Sequence, residues 1–149
     1  MNDKLFKLQN ILKVKQSEKD VIQSEYQEAI EQFEMEGNQL YSLLKRKEDL
    51  EESIHNRIST RIKVEQLMQQ QYFVTNLEKS LLIQQRKVSH ARAFMNLKAE
   101  KLKEQAVECK KYEKLVQNHT NMLQEKAKKL DIQFLDELSI LQFTHQPNR

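Results

Sequence analysis

The chain has 149 residues, 25 Lys or Arg against 22 Asp or Glu, and a formal net charge of +3. With 38% hydrophobic residues, 32% charged residues and no tryptophan, it holds too little apolar material for a thick globular core. One glycine, Gly37, and one proline, Pro147, leave almost none of the punctuation that sheets, phosphate-cradling loops and catalytic turns need, so the prediction is long helices and little else.

The first predicted helix covers about residues 4–57. Leu5, Leu12, Lys19, Tyr26, Phe33, Leu40, Lys47 and Ile54 stand seven apart, and six of the eight are apolar. The companion series Leu8, Lys15, Ile22, Ala29, Glu36, Leu43, Leu50 and Arg57 adds five more. A paired seven-residue repeat is a coiled-coil seam, because 3.5 residues per supercoiled turn keep one stripe facing a partner. Gly37 inside this helix costs about 1 kcal/mol relative to alanine and marks either a close approach or bend, or a surface position with no special role.

A second repeat, on a helix predicted over about 64–143, begins at Leu67 and runs through Val74, Leu81, Val88, Met95, Leu102, Cys109, Val116, Leu123 and Leu130. Its companion series, Gln70, Leu77, Gln84, Ala91, Lys98, Gln105, Tyr112 and His119, is weaker, so this arm is read as one strong ridge with a wet flank. The two repeats do not share a frame: sevens counted from Ile54 reach Met68, one residue past Leu67. A turn over about 58–63, in the polar stretch after Ile54, accounts for the break, although neither a C-terminal glycine nor a capping box marks it. A slightly distorted continuous helix, making a parallel dimer of rods, also absorbs a one-residue skip.

Charge favours the hairpin. Residues 1–57 carry nine Lys or Arg against twelve Asp or Glu, and residues 58–149 carry sixteen against ten. Folding near residue 60 is expected to lay Glu25, Glu28, Glu31, Glu34 and Glu36 beside Arg86, Lys87 and Arg92. Each exposed pair contributes only about 0–1 kcal/mol, but wrong orientations bring like charges together. The fold class predicted is therefore all-α: two long helices in an antiparallel coiled-coil hairpin, one domain over residues 1–149, with the second helix overhanging.

At about 1.5 Å per residue the arms are ~80 Å and ~120 Å long, and the last 25 or so residues outrun their partner. Leu130, Phe134, Leu138 and Leu141 share one face of that overhang. Such a stripe calls for a cover, whether a partner, a second copy or the first arm. Residues 144–149, around Pro147, are expected to fray.

Chemical constellations are absent. Cys109 is the sole cysteine and sits on the strong ridge, so it reads as a small core residue rather than a reactive thiol, in a reducing compartment. His55, His90, His119 and His145 never stand three or four apart, and no metal or cofactor is expected. Glu51 with Glu52, and Asp136 with Glu137, point about 100° apart on a helix and read as solvated faces. The basic surplus from Arg86 to Lys129 is interleaved with Glu100, Glu104, Glu108 and Glu113, as on a wet helix face, so nucleic acid is not an expected partner. No unbroken apolar run is longer than that of Leu81-Leu82-Ile83, which gives neither a secretory signal nor a membrane span.

Three segments carry a family resemblance. Phe6-Lys7-Leu8-Gln9 with Ile11-Leu12, the mid-chain Gln70-Gln71-Tyr72-Phe73-Val74-Thr75-Asn76-Leu77-Glu78, and Asp136-Glu137 followed by Gln142-Phe143 resemble the FliJ family of flagellar export proteins, in particular its Bacillus-type members. The resemblance covers nearly the whole chain. It implies a non-enzymatic coiled coil similar to the central stalk of rotary ATPases, coupling a hexameric export ATPase to the cytoplasmic domain of the export gate FlhA and assisting export chaperones. The implied location is the cytoplasm, at the inner membrane of the flagellar base, through protein partners only. The gate-binding patch then falls on Phe73, Leu77, Ser80 and Gln84, and docking to the ATPase ring on Leu5, Leu8, Leu12, Leu130, Phe134, Leu138 and Leu141. Alternatively, Leu77 simply belongs to the seam with Phe73 flanking it, and the hairpin is a general scaffold or a chaperone for helical clients.

Overall fold

A computed structural model describes residues 2–145. Two helices account for nearly all of it: α1, Asn2–Ile58, and α2, Val64–His145. Among the described residues there is no strand and no residue with positive φ. The second helix takes in Thr144 and His145, and the remainder of the expected frayed end, residues 146–149, lies outside the described residues.

The helices pack against each other in two compact units, one formed by Asp20–Lys103 and the other by the chain ends up to Lys19 and from Glu104. In the first unit the chain reverses between Ile58 and Val64 without glycine. Hydroxyls do the work: Ser59 Oγ donates to the Asn56 carbonyl at 2.7 Å and Thr60 Oγ1 to the Arg57 carbonyl at 3.2 Å, where the Thr60 amide also donates. These bonds satisfy carbonyls that the end of α1 would otherwise leave without partners. The Lys63 carbonyl then accepts from the Leu67 amide at 3.1 Å and opens α2.

The seam follows the two heptad series. Ala29 and Ile54 of α1 and Val74, Leu81, Val88, Ala91 and Cys109 of α2 are buried, and most remaining members of both series are half-buried. Small and branched side chains dominate this list because a two-helix seam has room for one layer only. Cys109 is buried, as its place on the ridge requires.

The companion series of α2 is not a wet flank. Gln84 is only 5% exposed, and Gln70, Lys98, Gln105, Tyr112 and His119 are half-buried. Gln84 Nε2 donates to the backbone carbonyl of Glu36 at 3.0 Å and to the Glu36 carboxylate. Gln105 Nε2 repeats the contact in the other unit, donating to the Lys15 carbonyl at 3.3 Å and to Glu18 Oε2 at 3.1 Å. Gln105 lies three heptads after Gln84 and Lys15 three heptads before Glu36, so both units hold the same antiparallel register. A buried amide that finds its partners in one register and loses them in every other specifies that register.

The expected bed of ion pairs between the acidic run and Arg86, Lys87 and Arg92 is not what forms. Two ion pairs cross the seam among the described residues, Lys98 to Glu25 at 2.7 Å and Lys47 to Glu78 at 3.6 Å. Arg92 instead lies over the Phe33 ring, 5.5 Å from its centroid, while Glu28, Glu31 and Glu34 face solvent. The guanidinium gains more from covering a seam aromatic than from an exposed carboxylate.

A Cβ built on Gly37 meets nothing within 4 Å, so neither close approach nor backbone geometry demands glycine there. Gly37→Ala is therefore expected to stabilise the hairpin by about 0.5–1 kcal/mol. Thermal unfolding followed by circular dichroism checks this, and a lower melting temperature would contradict the open space seen at that position.

Candidate functional site

In the unit Asp20–Lys103, one side of the seam opens into a groove of about 570 Å³. Arg46, Asp49, Leu50 and Ser53 of α1 form one wall and Phe73, Asn76, Leu77 and Ser80 of α2 the other. Asn76 and Leu77 stand three and four residues after Phe73, and Ser80 four and three residues after them, which keeps all four on one helical face. Leu50 and Leu77 are half-buried seam residues that form the floor, and Phe73 stands at the rim with 51% of its surface exposed. The neighbouring Tyr72 ring sits 6.3 Å from Phe73, tilted by 59°.

Three of the four residues of the expected gate-binding patch, Phe73, Leu77 and Ser80, thus line one groove. Gln84 does not join them: it points across the seam to Glu36. Two heptads further along the same side lies a second groove of about 440 Å³, lined by Gln32, Glu36, Lys87, His90, Ala91 and Phe94. Phe94, 47% exposed, repeats the position of Phe73 three heptads later.

The other unit carries the second candidate site. Leu5, Leu8 and Leu12 are half-buried in the seam against α2 rather than offered to a partner, and Phe6 beside them is exposed. From Gln124 to His145 every residue of α2 is exposed. Leu130, Phe134, Leu138 and Leu141 lie within about 80° of one another around the axis at 3.6 residues per turn. Ile132, Leu135, Ile140 and Phe143 occupy the other side, from about 140° to 280°, by the same spacing. All eight are exposed. The first stripe is the one expected from the sequence, and the second is present in the same residue order on the other side of the helix. A helix end with exposed apolar stripes on two sides offers contact surface on both.

Among the described residues no group of His, Cys, Asp and Glu is placed to hold a metal ion, and no helix is long and apolar enough to cross a membrane. What the molecule offers is helix surface: a groove beside a paired seam and an unpaired apolar helix end. On a helical hairpin, such surfaces are of the kind that other helices and proteins can dock on. The model of the family described as Flagellar FliJ protein matches residues 4–148. The chain is 33% identical over 141 residues to the flagellar FliJ protein of Bacillus subtilis (strain 168), covering 95% of this chain and 96% of that one. No solved structure matches. The chain belongs to the FliJ family, and is a component of flagellar protein export.

A carboxyl in the seam is held away from its ordinary range. Lys98, hydrogen-bonded to Glu25 and adding its positive charge, holds the Glu25 carboxyl below its ordinary value of 4.5. A depressed carboxyl contributes stability that is present above that ordinary value and is lost as pH falls through the lower folded one. The melting temperature should therefore drop on acidification below about pH 4.5, and Glu25→Gln should flatten part of that drop. An unchanged acid limb in Glu25→Gln would show that the pair adds nothing to the seam.

Proposed function

We propose that the chain is a non-enzymatic, stalk-like component that couples the hexameric flagellar export ATPase to the export gate and assists export chaperones. The observation that carries the reading is the end of α2, with exposed apolar stripes on two sides. A groove covers one side of a helix, whereas the hole of a ring surrounds it. Leu130, Phe134, Leu138 and Leu141 on one side, with Ile132, Leu135, Ile140 and Phe143 on the other, are then the ring-docking residues. Leu5, Leu8 and Leu12 act in support, by keeping the start of α1 closed on α2.

The groove at Phe73, Leu77 and Ser80 is the surface proposed for the cytoplasmic domain of the export gate FlhA. Gln84 supports it from within by fixing the register that places Phe73 at the rim. Phosphate chemistry belongs to the ATPase, since the single glycine lies inside α1 and forms no phosphate loop. The chain would work in the cytoplasm, held at the inner membrane of the flagellar base through its protein partners.

Truncation after Lys129 tests the ring contact. The shortened chain should keep its paired seam and its cooperative melting, while binding to the export ATPase and any stimulation of its hydrolysis fall sharply. Equal stimulation by the full and shortened chains would remove the overhang from the contact. Phe73→Ala tests the gate contact: removing one exposed anchor should weaken binding to the gate domain by about 1–3 kcal/mol, with melting nearly unchanged. A large fall in melting temperature would mean that Phe73 is a packing residue. Mass photometry with the ATPase separates the stalk from a client-holding chaperone. About one copy per ring is expected of the stalk, and a chaperone would bind its clients without needing the ring.

A further inference from the structure

In the unit Asp20–Lys103 the two helices turn opposite charges outward. Counted from the seam positions Leu67, Val74, Leu81 and Val88, the positions of α2 that point away from α1 fall one, two and five residues later. In a two-helix coil such positions meet solvent and are normally polar. Here Met68, Tyr72, Leu82 and Ile83 occupy four of them, each more than half exposed. Val64, at the start of α2, and Ile58, across the turn, are exposed as well and extend the row. From Val64 to Ile83 it runs ~30 Å at about 1.5 Å per residue.

Cations accompany the row. Lys79 and Arg86 share the outward positions, and Arg61 and Lys63 lie in the turn, all four exposed. Among the described residues no ion pair engages any of the four. Glu65 is the one carboxylate at these outward positions from Glu65 to His90, and Glu78, at the edge, pairs with Lys47 at 3.6 Å. The outward positions of α1, counted in the same way from Tyr26, Phe33, Leu40 and Lys47, are the reverse. They carry Glu28, Glu31, Glu34, Glu48, Asp49 and Glu52 against Lys45, and their apolar members, Met35 and Tyr41, stand among carboxylates. Both grooves open on the flank of Phe73 and Phe94, so the row from Val64 to Ile83 stands on the convex back of one helix. A protein partner would have to supply a cleft for it. A lipid surface needs none: anionic headgroups take the Lys and Arg, and the apolar side chains enter the boundary below.

We infer that the outer face of α2 from Val64 to Arg86, together with the turn, rests on the surface of an anionic lipid bilayer. The helix lies along the headgroup layer and does not cross it, and no helix among the described residues is long and apolar enough to do so. Met68, Tyr72, Leu82 and Ile83 enter the boundary between headgroups and acyl chains, while Arg61, Lys63, Lys79 and Arg86 meet lipid phosphates. The carboxylates on the outward side of α1 are repelled by the same surface, so one orientation is selected. This contact adds to the protein-mediated placement at the membrane and depends on neither the ring nor the gate reading.

The chain has no tryptophan, so one introduced at an outward position reports on its own surroundings. In Leu82→Trp, vesicles of mixed phosphatidylglycerol and phosphatidylcholine should shift the emission to the blue, and vesicles of phosphatidylcholine alone should not. Tyr41→Trp, on the outward side of α1, should show no shift with either. Cosedimentation with the anionic vesicles should weaken with added salt, and Lys79→Glu combined with Arg86→Glu should lower the affinity more than tenfold with helicity intact. No shift in Leu82→Trp at low salt, an equal shift in Tyr41→Trp, or unaltered binding by the charge-reversed chain overturns the inference. Vesicle binding without a blue shift, matched by equal binding of polyglutamate, would mark the face as a site for acidic protein and overturns it too.

Discussion

Everything in this molecule depends on a single seam between two helices of unequal length, 57 residues in α1 and 82 in α2. With one layer of buried side chains, many of them alanine, valine or cysteine, the apolar term is modest and tolerates sliding. The side-chain amides remove that tolerance. Gln84 and Gln105 each reach a backbone carbonyl and a carboxylate of α1, and a shift by one residue or by a heptad strands them away from their partners. Register in turn decides which side chains stand outside the seam, and so creates the groove at Phe73 and the exposed apolar run of α2 from Leu130.

The helical hairpin and its seam were legible in the sequence because a two-helix coiled coil is nearly one-dimensional: period alone identifies the facing residues. Legibility failed where a residue's role is set by what lies across from it. Gln84, Lys98 and Gln105 look like a wet flank when read along their own helix, and become seam residues only beside Glu36, Glu25 and Glu18. Arg92 looks like the partner of a glutamate until Phe33 is placed beneath it. The reversal hides for a different reason. Its signals are the hydroxyls of Ser59 and Thr60, residues common enough on any polar surface to carry little weight before their bonds are seen.

The candidate sites were legible to unequal depth. The family resemblance implied a patch of Phe73, Leu77, Ser80 and Gln84; the first three line one groove, and Gln84 turns inward. The overhang's first stripe was visible as a run at helical spacing, while its second stripe was missed because one apolar face already accounted for a docking surface. That second stripe changes the physical inference. One stripe asks for a groove; two ask for an enclosure.

Amide hydrogen exchange along α2, with and without the export ATPase, measures the central claim of an uncovered end that becomes enclosed. Residues 130–145 are exposed throughout and should exchange far faster in the free protein than the paired seam around Val88, because a helix with little packing in water is marginal. Addition of the ATPase should protect both stripes, Leu130 to Leu141 and Ile132 to Phe143, and leave the paired region near its original rates. Protection confined to the groove around Phe73, with exchange at the end of α2 unchanged, would contradict the account.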